Sequence, residues 1–346
     1  MKLLYTNDWH VKGTNPRSRK DNYTEALRRK VAEVRNLASV HDCKAILFGG
    51  DLTDTPDISE SVMGDLIRDL LAFPVPIYGI WGNTHDIWGD NPATLRRTAL
   101  GVVAAAEGIR LLEAGAPVVL EEDGIRVQVT GQGYHAEMDR RDYRLDYCVY
   151  PEGSPIAPDG HQHWKSPDST WAIHIVHGML RTEPLMAGVP VTLVNDVLDN
   201  TSANVTLSGH DHNGFGVKGE LARLACNPGA LMRLTAAKEE LTRPVQVALI
   251  ALTTTFCTVE LIPLQSAAPG DEVLDRSKLD ADKARKSALE DFSANIAVGG
   301  QFEAMDMATV VERVAGNKNV AAAVKAKALA YIHQAIEAAG GEEAAT

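Results

Sequence analysis

The chain has 346 residues, long enough for one large domain with an appendage or for two domains. Hydrophobic residues make up 45% of it, which excludes a disordered chain and indicates a globular protein with a sizeable core. The formal net charge of −12 argues against indiscriminate binding to nucleic acid, although a local cleft can differ from the global sum.

The cysteine pattern and the lengths of the apolar runs predict the cellular compartment of the protein. The four cysteines are far apart and form no Cys-x-x-Cys pair, which predicts reduced thiols in a cytoplasmic protein. The N-terminus reaches Asp8 too soon for the core of a signal peptide. Since no apolar run reaches about eighteen residues, we also expect no membrane segment.

Strand-like and helix-like runs alternate along the chain, which predicts an α/β fold. In chain order the pattern predicts a strand at 2–6, a helix at 23–39, a strand at 44–50, a helix at 59–73, a strand at 75–83, a helix at 94–108, and strands within 118–131, 171–178, 204–212, 223–230 and 245–264. Between 134 and 170 Pro, Gly, Asp and Ser recur, so we expect an irregular insertion there.

The composition changes after Pro263, where a polar stretch leads into Ala-, Lys- and Glu-rich sequence. We therefore place a domain at 1–265 and a helical C-terminal region at 266–346. Helices are predicted at 275–296, 306–316 and 319–339. The last of these carries one narrow apolar stripe at helical spacing: Val320, Val324, Ala328, Tyr331, Ile332, Ala335 and Ile336.

Oxygen and imidazole side chains follow five of the predicted strands, in the segments NDWH, GGDLTD, WGNTHD, IVHG and SGHDH. Sites of α/β folds gather at the carboxyl ends of strands. The candidate metal ligands are Asp8, His10, Asp51, Asn83, His177, His210 and His212. This mixed N/O set suits manganese, iron or zinc, whereas magnesium alone would prefer oxygen ligands. Asp51 is the candidate bridge between two ions.

The order of these motifs resembles the calcineurin-like metallophosphoesterase superfamily, whose pattern runs Asp-x-His, Gly-Asp, Gly-Asn-His-Asp, His, then Gly-His-x-His. The resemblance spans residues 6 to about 213. Within the superfamily the chain is most similar to the SbcD-type nuclease subunit of DNA double-strand-break repair complexes, including viral forms. Segments 15–30 and 226–234 and the helices after the core carry this narrower likeness.

The resemblance implies a two-sheet β-sandwich flanked by helices, with a C-terminal helical extension. It implies a two-metal DNA exo/endonuclease, with manganese the first choice and magnesium, iron or zinc as alternatives. Asp8, His10 and His212 would hold one ion, Asn83, His177 and His210 the other, and Asp51 would bridge them. The implied partners are DNA and an SbcC-type coiled-coil ATPase that binds the C-terminal helices; a homodimer is the other assembly considered.

One residue departs from the family pattern, because Thr84 separates Asn83 from His85. The resemblance implies that His85 faces the substrate and that Asp86 orients it. Since the strand before Asn83 anchors that residue, the loop can bulge outward and keep His85 in reach. The alternative is a displaced imidazole that only packs or hydrogen-bonds, leaving catalysis to the metals.

A basic segment begins two residues after His10 and runs from Lys12 to Lys30. Its first part should border the metals, where phosphate contacts would position a polyanion. The candidate nucleic-acid contacts are Lys12, Arg17, Arg19 and Lys20. The alternative for such a charge run is a solvated face.

Several other residues have structural interpretations beside functional ones. The segment HQHW at 161–164 imitates a metal pair, but no strand precedes it and a solvated loop is favoured. Trp81 and Trp88 are expected in the core or at a rim rather than against a base. Asp54 is expected to be a cap or turn residue. Tyr134 directly follows a strand and either approaches the cleft or supports it.

Two further functional classes stay open beside the nuclease. One is a phosphatase or phosphodiesterase acting on a nucleotide or a phosphoprotein. The other is a non-catalytic scaffold that uses the fold to bind a partner. The complete ligand set argues against the scaffold, whereas the basic segment and the C-terminal helices distinguish a nuclease from an enzyme for small substrates.

Overall fold

Two six-stranded sheets form the framework of a computed structural model that describes residues 1–221, 223–277, 280–281, 285–286 and 321–340. The strands are β1 Lys2–Thr6, β2 Ala45–Phe48, β3 Ile77–Gly79, β4 Arg110–Leu111, β5 Val118–Glu122, β6 Ile125–Gln132, β7 Tyr150–Pro151, β8 Trp164–Lys165, β9 Trp171–Gly178, β10 Leu180–Arg181, β11 Thr192–Leu193, β12 Val205–His210, β13 Gly216–Glu220, β14 Arg223–Asn227, β15 Gln246–Leu252 and β16 Cys257–Pro263.

The first sheet has the order β16-β15-β1-β2-β3-β4, and β1 to β4 are parallel. The second has the order β13-β14-β12-β9-β6-β5, with β14, β12, β9 and β6 parallel. The outer strands β16, β15, β13 and β5 pair antiparallel. Parallel order matters here because it puts the carboxyl ends of neighbouring strands at one edge.

Alternate residues of β1 belong to two different cores, as the two-residue period of a strand requires. Leu3 and Tyr5 pack with strands of the second sheet, including Val129 and Ile173, and fill the space between the sheets. Leu4 faces the other way and packs with residues of the helices. The predicted two-sheet sandwich flanked by helices is therefore confirmed.

The described α-helices are α1 Tyr23–Val40, α2 Glu60–Leu71, α3 Ala99–Ala105, α4 Arg144–Tyr147, α5 Val194–Asn200, α6 Lys238–Thr242, α7 Gly270–Val273 and α8 Ala322–Gly340. The helix predicted at 94–108 is divided: a 3₁₀ helix covers Pro92–Arg97 and α3 starts afresh after Thr98. The Thr98 hydroxyl accepts a hydrogen bond from the Gly101 amide and caps the new helix, which explains the break.

Residues 134–170 contain only α4 and the two-residue strands β7 and β8 as regular structure. The buried carboxylate of Asp146 connects several parts of this insertion. The Asp146 carboxylate accepts hydrogen bonds from His135 Nε2 at 3.0 Å and from the Arg141 guanidinium. Below it, His174 of β9 donates through Nε2 to the Asp146 carbonyl at 2.8 Å.

Residue contacts divide the chain into two units, Met1–Arg276 and Ser277–Thr346. The stretch after Pro263 still belongs to the first unit: the Gln265 and Ser266 amides donate to the Glu33 carboxylate, and the Asp275 amide donates to the Ser18 carbonyl. In the second unit α8 occupies most of the predicted helix at 319–339. The helix predicted at 306–316 and most of that at 275–296 lie outside the described residues. No described helix is long and apolar enough to cross a membrane.

Candidate metal centre

Five strand ends meet at one edge of the sandwich. Asp8 and His10 follow β1, Asp51 follows β2, and Asn83 follows β3; His177 is the penultimate residue of β9, and His210 ends β12. Four of these non-glycine residues have positive φ angles: Asp8 at 51°, His10 at 48°, Asp51 at 55° and His210 at 77°. This conformation is costly for such residues and concentrates at functional sites. The backbone therefore turns sharply to aim these side chains at one point.

One group of ligand atoms comes from Asp8, His10, Asp51 and His212, and all four atoms lie within 4.8 Å of one another. The Nε2 atoms of His10 and His212 are 3.0 Å apart, and His10 Nε2 is 3.7 Å from Asp51 Oδ2. Two imidazole nitrogens this close, beside a carboxylate oxygen, have the arrangement of ligands around a shared cation.

A second group comes from Asp51, His177 and His210, again with the ligand atoms within 4.8 Å. His177 Nε2 is 3.4 Å from Asp51 Oδ1. Asn83 is adjacent, since its Nδ2 is 3.3 Å from His210 Nδ1 and its backbone amide donates to Asp51 Oδ1 at 3.1 Å. Asp51 is shared by both groups, so the structure brings all seven predicted ligands together around this residue.

Outer hydrogen bonds fix the orientation of the ligands. His177 Nδ1 donates to the Gly49 carbonyl at 2.8 Å, which leaves the lone pair on Nε2 directed at Asp51. The His210 amide donates to both oxygens of Asp8 at 3.2 Å. Gly82 passes so close to Asp51 that a Cβ there would lie 1.8 Å from Oδ1, so only glycine fits.

These residues fit a pair of divalent ions. Among the described residues, the buried atoms Asp51 Oδ2 and His177 Nε2 have no hydrogen-bond partner. Buried polar atoms are ordinarily paired, because an unpaired one costs about 1–3 kcal/mol. An ion on each side of Asp51 would satisfy both atoms. The donors, imidazole nitrogen with carboxylate and amide oxygen, suit borderline divalent metals.

Burial and mutual charge set the protonation of the group. Burial lowers the pKa of His210 to about 3 and that of His212 to about 4, so both are neutral and able to bind metal at neutral pH. Burial and the neighbouring Asp51 charge raise the pKa of Asp8 to about 7. Burial opposes ionisation of Asp51, but the electrostatic effect of the surrounding histidines, His177 first, outweighs it and holds that pKa low.

Thr84 is exposed and lies at the start of a turn that covers residues 84–86. The Asn83 carbonyl accepts from the amides of Asp86 and Ile87, both at 3.0 Å, and the Asn83 side chain accepts from the His85 amide. The His85 ring consequently stays beside the site, edge-on to His10 with ring centroids 4.6 Å apart. The outward bulge expected from the extra residue is what the structure shows.

The expected role of Asp86 is corrected. Its buried carboxylate accepts from the backbone amides of Gly82 at 2.8 Å and of Leu52 and Thr53 at 3.2 Å each. It therefore ties the Asp51 loop to the Asn83 loop and does not hold the His85 imidazole. The orienting contact comes instead from the Asp54 carbonyl, which accepts from His85 Nδ1 at 2.7 Å.

The basic segment contributes less surface charge than its sequence indicates. Lys12 is paired with the Asp54 carboxylate at 2.7 Å, and Lys20 is exposed and donates to the Asp271 carbonyl. Arg17 is also exposed. The assignment of Arg19 to DNA contact is corrected: its buried guanidinium makes a bidentate pair with Asp21, both bonds 2.7 Å long.

The sequence favoured a solvated loop for HQHW, and the structure contradicts this prediction. His161 and His163 are buried, and His163 Nε2 donates to Gln132 Oε1 at 3.1 Å. Trp81 is half-buried and Trp88 is exposed, in agreement with core and rim positions. Tyr134, which the sequence left open, packs beside the metal ligands with its ring centroid 5.6 Å from that of His210. Its only sequence signal was its place directly after a buried strand.

The calcineurin-like phosphoesterase family model matches residues 1–214, the part of the chain that carries every candidate ligand. The chain belongs to this family. It is accordingly a metal-dependent phosphoesterase with a candidate two-metal site of Asp and His residues.

Solved structures similar to this family member share little sequence with it. The protein TT1561 of Thermus thermophilus is 14% identical, with 75% of this chain and 98% of that chain covered and a TM-score of 0.41. A dimetal phosphatase from Danio rerio is 12% identical, with 76% and 96% covered and a TM-score of 0.44. GAP50 of Plasmodium, described as the anchor in the inner membrane complex, is 9% identical, with 76% and 84% covered and a TM-score of 0.42. Comparison with curated proteins gives no sequence match.

Proposed function

We propose that this phosphoesterase hydrolyses phosphodiester bonds of DNA with two manganese ions, as the nuclease subunit of an SbcC/SbcD-like repair complex. The observation that carries the hydrolytic part is the sharing of Asp51 between two groups of buried ligand atoms. Two ions bound there would stabilise the charge of the phosphoryl group and activate a water for in-line attack.

The chain's own residues complete the chemistry. His85 Nδ1–H donates a hydrogen bond to the Asp54 carbonyl, so Nε2 is the ring nitrogen that exchanges a proton with the substrate. When protonated, that nitrogen donates to the leaving oxygen, as a positioned general acid does. Asp51 and Asn83 keep their spacing because the Asn83 amide donates to Asp51 Oδ1.

DNA as the substrate is supported by the basic segment that follows His10 in the sequence. Lys12 pairs with the same Asp54 that holds His85, and Arg17 and Lys20 are exposed further along the segment. Contacts of this kind bind phosphates without reading bases, so we propose a nuclease without sequence specificity.

A second candidate is a phosphatase or phosphodiesterase for a small substrate such as a nucleotide. The specific observation in its favour is that Arg19 and Lys30 are buried and the net charge is −12, which reduces the basic surface offered to a polymer. A scaffold without activity is the least favoured class, because it has no need for the converging ligand atoms.

A manganese-dependent assay distinguishes these functions. We expect wild-type protein to degrade single-stranded DNA or duplex ends and to hydrolyse bis-p-nitrophenyl phosphate. Asp51→Asn should abolish all turnover by removing the shared carboxylate, whereas Asp57→Asn, at an exposed carboxylate in the same loop, should not. Turnover of the small ester alone would assign the protein to the second class. No turnover of any phosphoester, with two ions bound per chain, would contradict both.

A further inference from the structure

Tyr134 lies beside the second group of candidate ligands, whereas His85 lies beside the first. Its ring centroid is 5.6 Å from that of His210 and 6.2 Å from that of His177, the two histidines of the second ligand group. His85 contacts His10 of the first group. The two ligand groups are thus each flanked by one additional side chain with a polar tip.

The position of Tyr134 is fixed by two hydrogen bonds to one residue. The Tyr134 amide donates to the Trp81 carbonyl at 3.2 Å, and Trp81 Nε1 donates to the Tyr134 carbonyl at 2.9 Å. The preceding Gly133 packs on the indole so closely that a Cβ would lie 2.2 Å from it. Since Trp81 stands two residues before Asn83, the same strand end positions Tyr134 and a candidate ligand.

The phenol of Tyr134 differs from those of the structural tyrosines. Tyr23 and Tyr147 are fully buried, and their hydroxyls donate to the His10 carbonyl and to the Asp139 carboxylate. Tyr134 is half-buried, with Asp90, Asp139 and the Arg140 guanidinium as its charged neighbours. Arg140 can only donate, and the two carboxylates act on the phenol through their charge without a hydrogen bond to it, so the phenolic hydrogen remains for an acceptor that enters the site.

We propose that Tyr134 is a substrate-binding residue that donates its phenolic hydrogen to a non-bridging phosphate oxygen at the His177–His210 side, next to the Arg140 guanidinium. The proposal rests on the phosphoesterase function proposed above. A fixed donor at this place would stabilise negative charge on the phosphoryl group without a cost of reorganisation. It also gives the irregular insertion a role, because both Tyr134 and Arg140 belong to it.

The test uses inorganic phosphate as the probe and the full chain loaded with manganese. We expect Tyr134→Phe to bind two ions as the wild type does, because the ring still packs on His210, but to bind phosphate roughly tenfold more weakly. That factor is the usual loss for one hydrogen bond to a charged group, about 1.4 kcal/mol. Tyr143→Phe is the matched control: its hydroxyl contacts Asp196 and Asn200 elsewhere in the structure, so phosphate affinity should not change.

The outcomes separate this proposal from the proposed function. Equal phosphate affinity in wild type and Tyr134→Phe, or no phosphate binding by the wild type, overturns the role of Tyr134. Weaker phosphate binding by Tyr134→Phe supports this role. If the wild type binds phosphate but turns over no phosphoester, only the proposed function is overturned. With active enzyme, kcat/KM for bis-p-nitrophenyl phosphate should fall by a similar factor in Tyr134→Phe.

Discussion

His85 depends on a turn rather than on a fixed sequence spacing. The carbonyl and the side chain of Asn83 hold the turn around Thr84, and the Asp86 carboxylate anchors its far side to the Asp51 loop. The inserted residue points to solvent, where it meets no ligand. A one-residue insertion is tolerated because both ends of the turn are attached to strand ends that do not move.

We expect His85→Ala to retain two bound metals while its rate falls roughly 10²–10⁴-fold, the usual contribution of a positioned acid–base group. The comparison variant is Thr84→Ala, whose exposed side chain should be replaceable without effect on the rate. Steady-state kinetics with bis-p-nitrophenyl phosphate and metal quantification measure both. A rate for His85→Ala close to that of Thr84→Ala would show that the imidazole has no part in turnover.

Lys30 is a buried cation without a carboxylate in contact among the described residues. Its Nζ donates to the Leu231 carbonyl at 3.0 Å, and burial together with the charges of Arg19, Arg233 and Arg243 lowers its pKa to about 7. Between pH 7 and the ordinary value of 10.5 the unfolded chain holds a proton on this lysine that the folded protein lacks. The free energy of unfolding therefore rises with pH in that window.

We expect the free energy of unfolding in urea to rise by about 2 kcal/mol between pH 6.5 and 8.5 in the wild type, relative to Lys30→Met, which has no group to titrate. Lys20→Met, at an exposed lysine of the same segment, should keep the wild-type pH dependence. Parallel pH curves for the wild type and Lys30→Met would mean that Lys30 stays protonated in the folded protein.

Among the elements, the segment 230–233 shows why these cations are buried. Its four consecutive carbonyls accept hydrogen bonds from Arg243, Lys30, Arg243 again and Arg19. The segment pairs with no strand among the described residues, and these side chains satisfy its carbonyls instead. The amides of its first two residues donate to the carbonyl of His212, a candidate ligand, and to that of Asn7, which precedes the candidate ligand Asp8. Arg19, which the sequence analysis placed among the DNA contacts, thus supports a segment that is bonded to the metal centre.

The strands and ligands could be predicted because each ligand follows a short buried run within a few residues, and such runs have a strong local signal. Asp86, Arg19 and His163 could not be assigned in this way. Asp86 contacts Leu52, Arg19 contacts Asp21 and Arg233, and His163 contacts Gln132. Most of these contacts depend on how separate loops meet. The same limit applies to Tyr134, whose neighbour His210 is 76 positions further along the numbering.

The insertion at 134–170 should depend on the buried carboxylate of Asp146. We expect Asp146→Asn to weaken its pairing with His135 and the exposed Arg141 and to destabilise the protein by about 1–3 kcal/mol, the cost of weakening the hydrogen bonds of a buried carboxylate. Asp142→Asn weakens the exposed ion pair with Arg144 and keeps the side-chain oxygen that accepts from the Arg144 amide, so it should cost less than about 1 kcal/mol. Urea unfolding gives both values, and limited proteolysis should cut the insertion first in Asp146→Asn. Equal stability of the two variants would contradict this account of the insertion.

At the scale of the whole molecule, the first unit contains all seven candidate ligands, and its last residues up to Asp275 are bonded to the segment around Ser18. Val273 and Leu274 form a small buried cluster with Ala236. A chain cut at Pro263 would lose these contacts. A cut after Arg276 preserves them, so it is the better place to separate hydrolysis from partner binding.

The second unit offers α8 as a surface for a partner. Val324 and Tyr331 are 59% and 62% exposed, and their spacing of seven residues puts them on one side of the helix. A helix with such a stripe can dock in an apolar groove, and the proposed SbcC-type ATPase would bind it in this way.

We expect a chain ending at Arg276 to hydrolyse bis-p-nitrophenyl phosphate normally but not to bind the ATPase in calorimetry. In the full chain, Val324→Glu with Tyr331→Glu should weaken that binding at unchanged hydrolysis, since it places charge on the stripe. Full affinity of the truncated chain for the ATPase would mean that the partner binds the first unit.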